Sequence, residues 1–288
     1  MQPIEEIKPQ QSIELLKSLH ILTRDGKINQ DSRRKLKQVY HLYQFIEPIL
    51  TEINQIKEDY LLVDHGAGKS YLGFILYDLF VKLSKGKIIG VESNPVLVEK
   101  SERLAEKLQF SRMKFLATDV KSAPSSIKGA VDIVTALHAC DTATDDALHF
   151  AIKKDASYII LIPCCQAEIA SLLKKNKAQS LKKPLAELWR HGIHTREMGS
   201  HLTNVLRCLL LESQGYQVTV TELVGWEHSM KNELIIAKKT ENKKGNAAER
   251  IEEILQEFND DLSILIDKAG LILTERRDGT LKSSRGKT

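Results

Sequence analysis

Across residues 33–54 the apolar positions Leu36, Val39, Tyr40, Tyr43, Ile46, Leu50 and Ile53 recur every three or four residues, which gathers them on one face of a helix. Pro48 falls inside this stretch and is expected to kink or divide it. From about residue 58 the pattern changes to short apolar runs, at 60–64, 87–92, 113–117, 132–137, 158–163, 217–224 and 233–239. Helical stretches separate the first six, which implies right-handed crossovers and a parallel sheet covered on both faces. Only the short turn GWEHSMKN separates the last two. That is too short for a parallel crossover, so the seventh strand is expected to run antiparallel to the sixth. A final amphipathic helix is expected over 246–268, where Ile251, Ile254, Leu255, Phe258, Leu262, Leu265 and Ile266 share a face. Such a face docks on its own protein or makes a contact with a partner or second copy. The chain thus divides into a helical extension (1–55), an α/β domain (56–240) and a C-terminal helix with a basic tail (241–288). The tail from Thr280 is expected to be disordered.

Composition narrows the class. With 42% hydrophobic and 28% charged residues in 288, the chain can bury a core. No apolar run reaches the length of a membrane span, and the N-terminus, with two glutamates and no apolar stretch, does not read as a secretory signal. Four cysteines, two of them adjacent, make no disulfide framework, so a cytoplasmic location is expected. The net charge of +4 is mild, but it is unevenly placed. Residues 171–208 hold eight Lys/Arg against two Glu, and residues 271–288 hold five against two acids.

The densest chemistry lies in LLVDHGAGKSYLG (61–73). A buried strand ends at Asp64, Gly66 and Gly68 form a turn that lets a ligand approach the backbone, and a helix then opens with free N–H groups. A phosphate-binding P-loop would need glycine at Val63. A dinucleotide fingerprint would need glycine at Tyr71, and Gly73 comes two residues late. The remaining pattern, D-x-G-x-G, resembles motif I of class I S-adenosylmethionine (SAM) methyltransferases. In them, the acid engages the cofactor's amino-acid moiety through water or backbone. Glu92 ends the second strand, 28 residues after Asp64, and suits a ribose diol because a carboxylate accepts from both hydroxyls. Asp119 follows the third strand, 27 residues later, where it could accept from an adenine amino group. Each acid alone is equally well a helix N-cap, and NAD enzymes use a ribose acid too. Three acids at successive strand ends, with the glycine turn and the antiparallel strand, favour SAM. The expected fold is a Rossmann-like class I methyltransferase sheet of six parallel strands and an antiparallel seventh, with helical extensions at both ends.

The fourth strand ends in ALHACDTATDDAL (136–148) and the fifth in ILIPCCQAE (160–168). These segments resemble the H-x-C-G-x-x-[ST]-D and C-C-[HYQ] motifs of one methyltransferase subfamily, and E-H-S-M-K-N-E-L-I-I-A (227–237) is similar to its final hairpin. That subfamily includes the tRNA acceptor-stem 2′-O-methyltransferases. It also includes the methyltransferase domains of ribosomal RNA adenine dimethylase-like and of glutathione S-transferase C-terminal domain-containing proteins. Its usual glycine is Asp141 here. Neighbouring strand ends bring His138, Cys140, Asp141, Cys164, Cys165 and Gln166 to the carboxyl edge, where ligands bind. Four roles stay open for this group: thiols packed as small hydrophobes, substrate positioning with His138 or Asp141 as base or acceptor, a zinc site, and a cysteine nucleophile after Pro163. The positioning role is the catalytic assignment, with His138 and Asp141 carrying it and no metal.

The connection 164–216 is far longer than an ordinary crossover. It carries the basic stretch and WRHGIHTREMGSH (189–201), a composition suited to a phosphate backbone and stacked bases or to a plain solvated helix. The expected substrate contacts are Gln166, Lys174, Lys175, Arg190 and Arg196, joined by Trp226, His228 and Lys231 of the final hairpin. The sequence therefore points to a SAM-dependent methyltransferase acting on RNA, tRNA or rRNA. A protein or small-molecule methyltransferase and a non-catalytic SAM- or RNA-binding module are the alternatives.

Overall fold

The computed structural model describes residues 6–118, 123–137, 142–163, 168–175, 184–223, 233–240 and 246–257. The chain divides into two compact units, one of residues 1–166 and 214–243, the other of 167–213 and 244–288.

The first unit opens with α1 (Ile13–Ser18) and α2 (Gln30–Ile56). Ser12 and Asn29 cap them, each side chain accepting a backbone N–H of the first turn. Pro48 does not divide α2: it is exposed, and the helix runs continuously past it. Buried Ile46, Leu50 and Ile53 join the same core cluster as Phe74, Ile75 and Ile133, so packing on both sides of the proline holds the helix through the lost hydrogen bond.

The sheet comprises β1 (Leu61–His65), β2 (Lys87–Glu92), β3 (Met113–Ala117), β4 (Ile133–Leu137), β5 (Tyr158–Ile162), β6 (Tyr216–Glu222) and β7 (Glu233–Lys239). Its spatial order is β3-β2-β1-β4-β5-β7-β6. β1 to β5 pair in parallel, and β7 inserts between β5 and β6, antiparallel to both. This is the expected sheet of six parallel strands and one antiparallel strand. The central strand β5 is buried at every position, whereas the edge strand β6 is exposed at four of seven, as burial on two faces or one requires.

Three helices follow the strands on this unit: α3 (Tyr71–Leu79) after β1, α4 (Pro95–Lys107) after β2, and α6 (Thr142–Lys153) after β4. A four-residue turn, α5 (Ala123–Ser126), precedes β4. Asn94 caps α4, with Pro95 in its first turn, where a missing N–H costs nothing. At the amino edge Asp132 accepts the Leu61 N–H at 2.8 Å and pairs with Lys57 at 3.1 Å, which fixes the entry into β1. Buried Asp78 of α3 accepts from the Ser12 N–H at 2.6 Å, from Lys82 at 2.8 Å and from the Gln11 amide. That carboxylate ties the N-terminal helices to the sheet-bearing unit.

The second unit contains α7 (Glu168–Lys175), a 3-10 turn (Pro184–Trp189), α8 (Gly192–Ser213) and α9 (Ala247–Glu257). Gly199 lets α8 approach α7 closely, since a Cβ there would lie 2.5 Å from the Ala170 nitrogen. Over its described length, α9 packs on α8 with Ala247 and Ile251 buried, and Arg250 pairs with Glu212 at 3.7 Å. The amphipathic face therefore docks within its own unit here; residues 258–268 of the expected helix lie outside the described residues.

Candidate cofactor site

The turn that follows β1 is built from backbone conformations few residues adopt. Gly66 has φ 64°, Gly68 φ 55° and Ser70 φ 51°. Glycine takes this left-handed region freely, while Ser70 is strained there. Hydrogen bonds hold the turn shut, with the Ala67 N–H donating to the Val91 carbonyl at 3.0 Å and the Ser70 N–H to the Ala67 carbonyl at 2.6 Å. Gly73, the glycine too late for a dinucleotide fingerprint, serves packing. A Cβ there would lie 2.6 Å from Ser70 Oγ and 3.0 Å from Met113 Cε.

The structure brings three of the expected cofactor residues, and Asp64 besides, to one place. Glu92 Oε2 accepts the Gly68 N–H at 2.8 Å, and Oε1 accepts the Asn94 N–H at 2.9 Å and the Ser93 hydroxyl at 3.3 Å. The carboxylate thus clamps the glycine turn to the β2–α4 junction. Asp64 lies in register with Gly90 of β2 and Thr135 of β4. It is only 2% exposed, and Thr135 Oγ1 donates to its Oδ1 at 2.7 Å. Desolvation pushes its pKa up to about 7, against the pull of the Thr135 hydrogen bond. Asp119 lies outside the described residues.

Two features here escaped the sequence reading. Thr135 is an inconspicuous strand residue, and only the β1–β4 register places it opposite Asp64. His65, next to Asp64 on β1, is fully buried, and among the described residues neither ring nitrogen has a hydrogen-bond partner. Its ring meets Phe150 of α6 edge-on, with centroids 4.3 Å apart, and burial lowers its pKa to about 3. A histidine directly after a strand-end acid was the available signal.

The chemistry of this site fits SAM. Each Glu92 oxygen retains accepting capacity after the bonds above, which suits a ribose diol. Among the described residues no side chain caps the first turn of α3, which leaves its N–H groups to a carboxylate. Gly68 faces open space, its nearest would-be contact being the Gly66 carbonyl at 3.9 Å. With 2% exposure, Asp64 suits an indirect role through backbone or water.

The remaining expected site residues fall into two groups. His138, Asp141, Gln166, Trp226, His228 and Lys231 lie outside the described residues. On the second unit Lys174 is exposed on α7, the same helix that carries Lys175. Arg190 and Arg196 are exposed, and each pairs with an acid on its own segment, Glu187 and Glu197 respectively, at 3.2 Å. Their charges are therefore partly compensated, a point the sequence count could not show. Trp189 is buried, so in this structure it packs rather than offering a face to a base. Among the described residues no three His, Cys, Asp or Glu side chains are placed to hold a metal ion. Among them also, no helix is long and apolar enough to cross a membrane.

Residues 34–172 match the family model described as a methyltransferase domain. The strand order and the clamped D-x-G-x-G turn give the chain a Rossmann-like methyltransferase fold, and residues 34–172, just under half of it, are similar to a methyltransferase domain. Among characterised proteins it is similar to the glutathione S-transferase C-terminal domain-containing protein of Homo sapiens. The two are 26% identical over 232 residues, covering 74% of this chain and 34% of the human protein. The Bos taurus protein is 25% identical over the same length. The chain thus spans about a third of the length of these relatives. Among solved structures it is similar to an S-adenosylhomocysteine-bound methyltransferase of Podospora anserina, at 12% identity and TM-score 0.46, covering 80% of this chain and 89% of that one. A Streptococcus thermophilus rRNA methylase aligns at 8% identity and TM-score 0.41, covering 64% and 89%.

Proposed function

We propose that this domain methylates RNA, of the tRNA or rRNA class. The observation that carries the reading is the concentration of positive charge between residues 171 and 208, at net +6. A polyanion rewards such a stretch by counterion release. The sheet-bearing unit adds a second basic surface. Residues 17–37 hold seven Lys/Arg against two Asp, and Arg24, Lys27, Arg34, Lys35 and Lys37 are exposed. This segment starts beside the cofactor turn, since the Tyr71 hydroxyl at the head of α3 donates to the Leu19 carbonyl at 3.1 Å. The resemblance of residues 136–148 and 160–168 to the tRNA acceptor-stem group supports the same substrate class.

Bound SAM supplies an activated methyl group. The chain's part is to orient the acceptor nucleotide and to receive the proton its nitrogen or oxygen loses. In this reading His138 or Asp141 takes that proton, Gln166 and the hairpin residues Trp226, His228 and Lys231 position the nucleotide, and Lys174, Lys175, Arg190 and Arg196 hold phosphate. His138→Ala and Asp141→Ala are expected to lower turnover at least tenfold with SAM affinity within twofold of wild type. Single-turnover assays and calorimetry check the two quantities separately.

Neutralising Lys174, Lys175, Lys177, Lys182 and Lys183 to Gln is expected to weaken RNA binding and flatten its salt dependence, since fewer counterions are released. Filter binding between 50 and 200 mM salt, on the order used for such slopes, reads both. An unchanged slope removes the basic stretch from the RNA surface. The substrate itself is tested by mass spectrometry of RNA nucleosides from cells with and without the protein. A methylated nucleoside missing in the latter supports the reading; identical profiles transfer the activity to a protein or small-molecule acceptor.

A further inference from the structure

The sheet has a second open edge, far along the strand order from β6. β3 pairs only with β2 among the described residues. Its ladder assigns each backbone group a side. The Ile88 N–H donates to the Arg112 carbonyl at 3.0 Å, and the Thr118 N–H donates to the Glu92 carbonyl at 3.1 Å. In a parallel ladder, alternate residues bond to the same neighbour. Residues 112, 114, 116 and 118 therefore face β2, and Phe115 and Ala117 present their N–H and C=O groups outward. An open strand of this kind is a template for another strand.

A groove of about 550 Å³ lies along this edge, between β3 and α4. Its apolar floor includes Phe110, Met113 and Phe115, each nearly buried. Its rim carries Glu102 and Glu106, exposed one helical turn apart. Elsewhere on α4, Arg103 pairs with Glu99 and Lys107 with Glu14 at 3.3 Å, and Lys100 does not line the groove. Glu102 and Glu106 have no ion pair among the described residues and outnumber the exposed Lys114 that also lines the groove, so the groove's net charge is negative.

We infer that the β3–α4 groove binds an extended segment of a partner protein that adds to β3 as a strand and carries basic side chains at alternate positions. The spacing fits. Two residues four apart on a helix rise about 6 Å, and two residues apart on a strand are separated by roughly 6.6 Å, so basic side chains at i and i+2 each reach one glutamate. Their aliphatic stems cover the floor while the charged heads meet the rim. The added backbone takes the outward groups of Phe115 and Ala117. A second copy of this chain is a poor occupant, because pairing two β3 strands antiparallel would set the two glutamate rims against each other. This inference does not depend on the RNA reading.

The test uses the full chain and a fluorescein-labelled peptide, Lys-Thr-Arg-Val-Lys-Thr, followed by fluorescence anisotropy. Saturable binding is expected, with the charge-reversed peptide Glu-Thr-Glu-Val-Glu-Thr failing to bind. The double variant Glu102→Lys, Glu106→Lys is expected to weaken binding at least tenfold. Ala117→Pro removes one outward N–H without touching the β2 ladder, as prolines on edge strands do, and is expected to weaken it at least fivefold. The wild-type amides of Phe115 and Ala117 should exchange at least tenfold more slowly with peptide bound, a readout that stands even if the proline variant does not fold. No binding by the wild type, a smaller loss in the glutamate variant, or unslowed exchange at Phe115 and Ala117 overturns the inference. So does wild-type affinity in a folded Ala117→Pro, since attraction would then be purely electrostatic.

Discussion

Glu92→Ala is expected to bind SAM at least a hundredfold more weakly than wild type. The substitution acts twice. It removes the acceptor proposed for the ribose diol, and it frees the Gly68 and Asn94 N–H groups that the carboxylate now holds at 2.8 and 2.9 Å. Hydrogen bonds to a charged group contribute roughly 1.5–3 kcal/mol each. Losing two comparable interactions therefore costs on the order of 3–6 kcal/mol, and every 1.4 kcal/mol is about a tenfold change in affinity. Glu92→Gln keeps the side-chain length and one accepting oxygen, so it should fall between alanine and wild type. Isothermal calorimetry on the three proteins decides the matter. Glu92→Ala within tenfold of wild type would remove Glu92 from the cofactor site, whatever then became of Asp64.

The second large effect concerns stability, and arises from two adjacent residues whose titrations oppose. Asp64 has its pKa raised by burial from 3.8 to about 7. The stability linked to it is fully present below pH 3.8 and is lost as pH rises through about 7. His65 has its pKa lowered by burial from 6.5 to about 3. Its linked stability is fully present above pH 6.5 and is lost as pH falls toward 3. Between about pH 4 and 6.5 the two slopes have opposite sign and nearly cancel. Removing either unmasks the other. His65→Leu is expected to gain stability as the buffer is acidified from pH 7 to 4, relative to wild type, by on the order of 4 kcal/mol. The replacement also removes two ring nitrogens buried without partners among the described residues, so the variant should be no less stable than wild type at neutral pH. Asp64→Asn keeps the side-chain shape and should show the opposite trend, losing stability over the same interval. Urea denaturation at each pH unit measures both curves. A His65→Leu profile parallel to wild type would show that the histidine is not held neutral in the folded protein.

Much of this architecture was already visible in one dimension. The strand at 113–117 and the strand at 233–239 were expected at the bounds the structure shows, because a buried strand is a short apolar run and a turn ends it. The antiparallel seventh strand followed from eight intervening residues, a limit set by chain length alone. Gly66 and Gly68 were legible as turn residues because a tight turn at a strand end demands glycine, and Glu92 because it closes β2, whereas β1 runs one residue past Asp64, to His65. All of these are local facts, and local facts survive being read in order.

Other features depended on which strands became neighbours. The insertion of β7 between β5 and β6 depends on sheet pairing, not on the length of the turn that joins it to β6. Thr135 became the partner of Asp64 only through the β1–β4 register, across 71 residues of sequence. The continuity of α2 past Pro48 was decided by the core on either side of it, against the local propensity that suggested a break. The ion pairs that compensate Arg190 and Arg196 depend on side-chain placement, which a net-charge count averages away. Periodicity, turn chemistry and connection length belong to neighbouring residues and are written along the chain. Register, desolvation and charge compensation are properties of groups brought together from distant positions, and they come into being only when the sheet assembles.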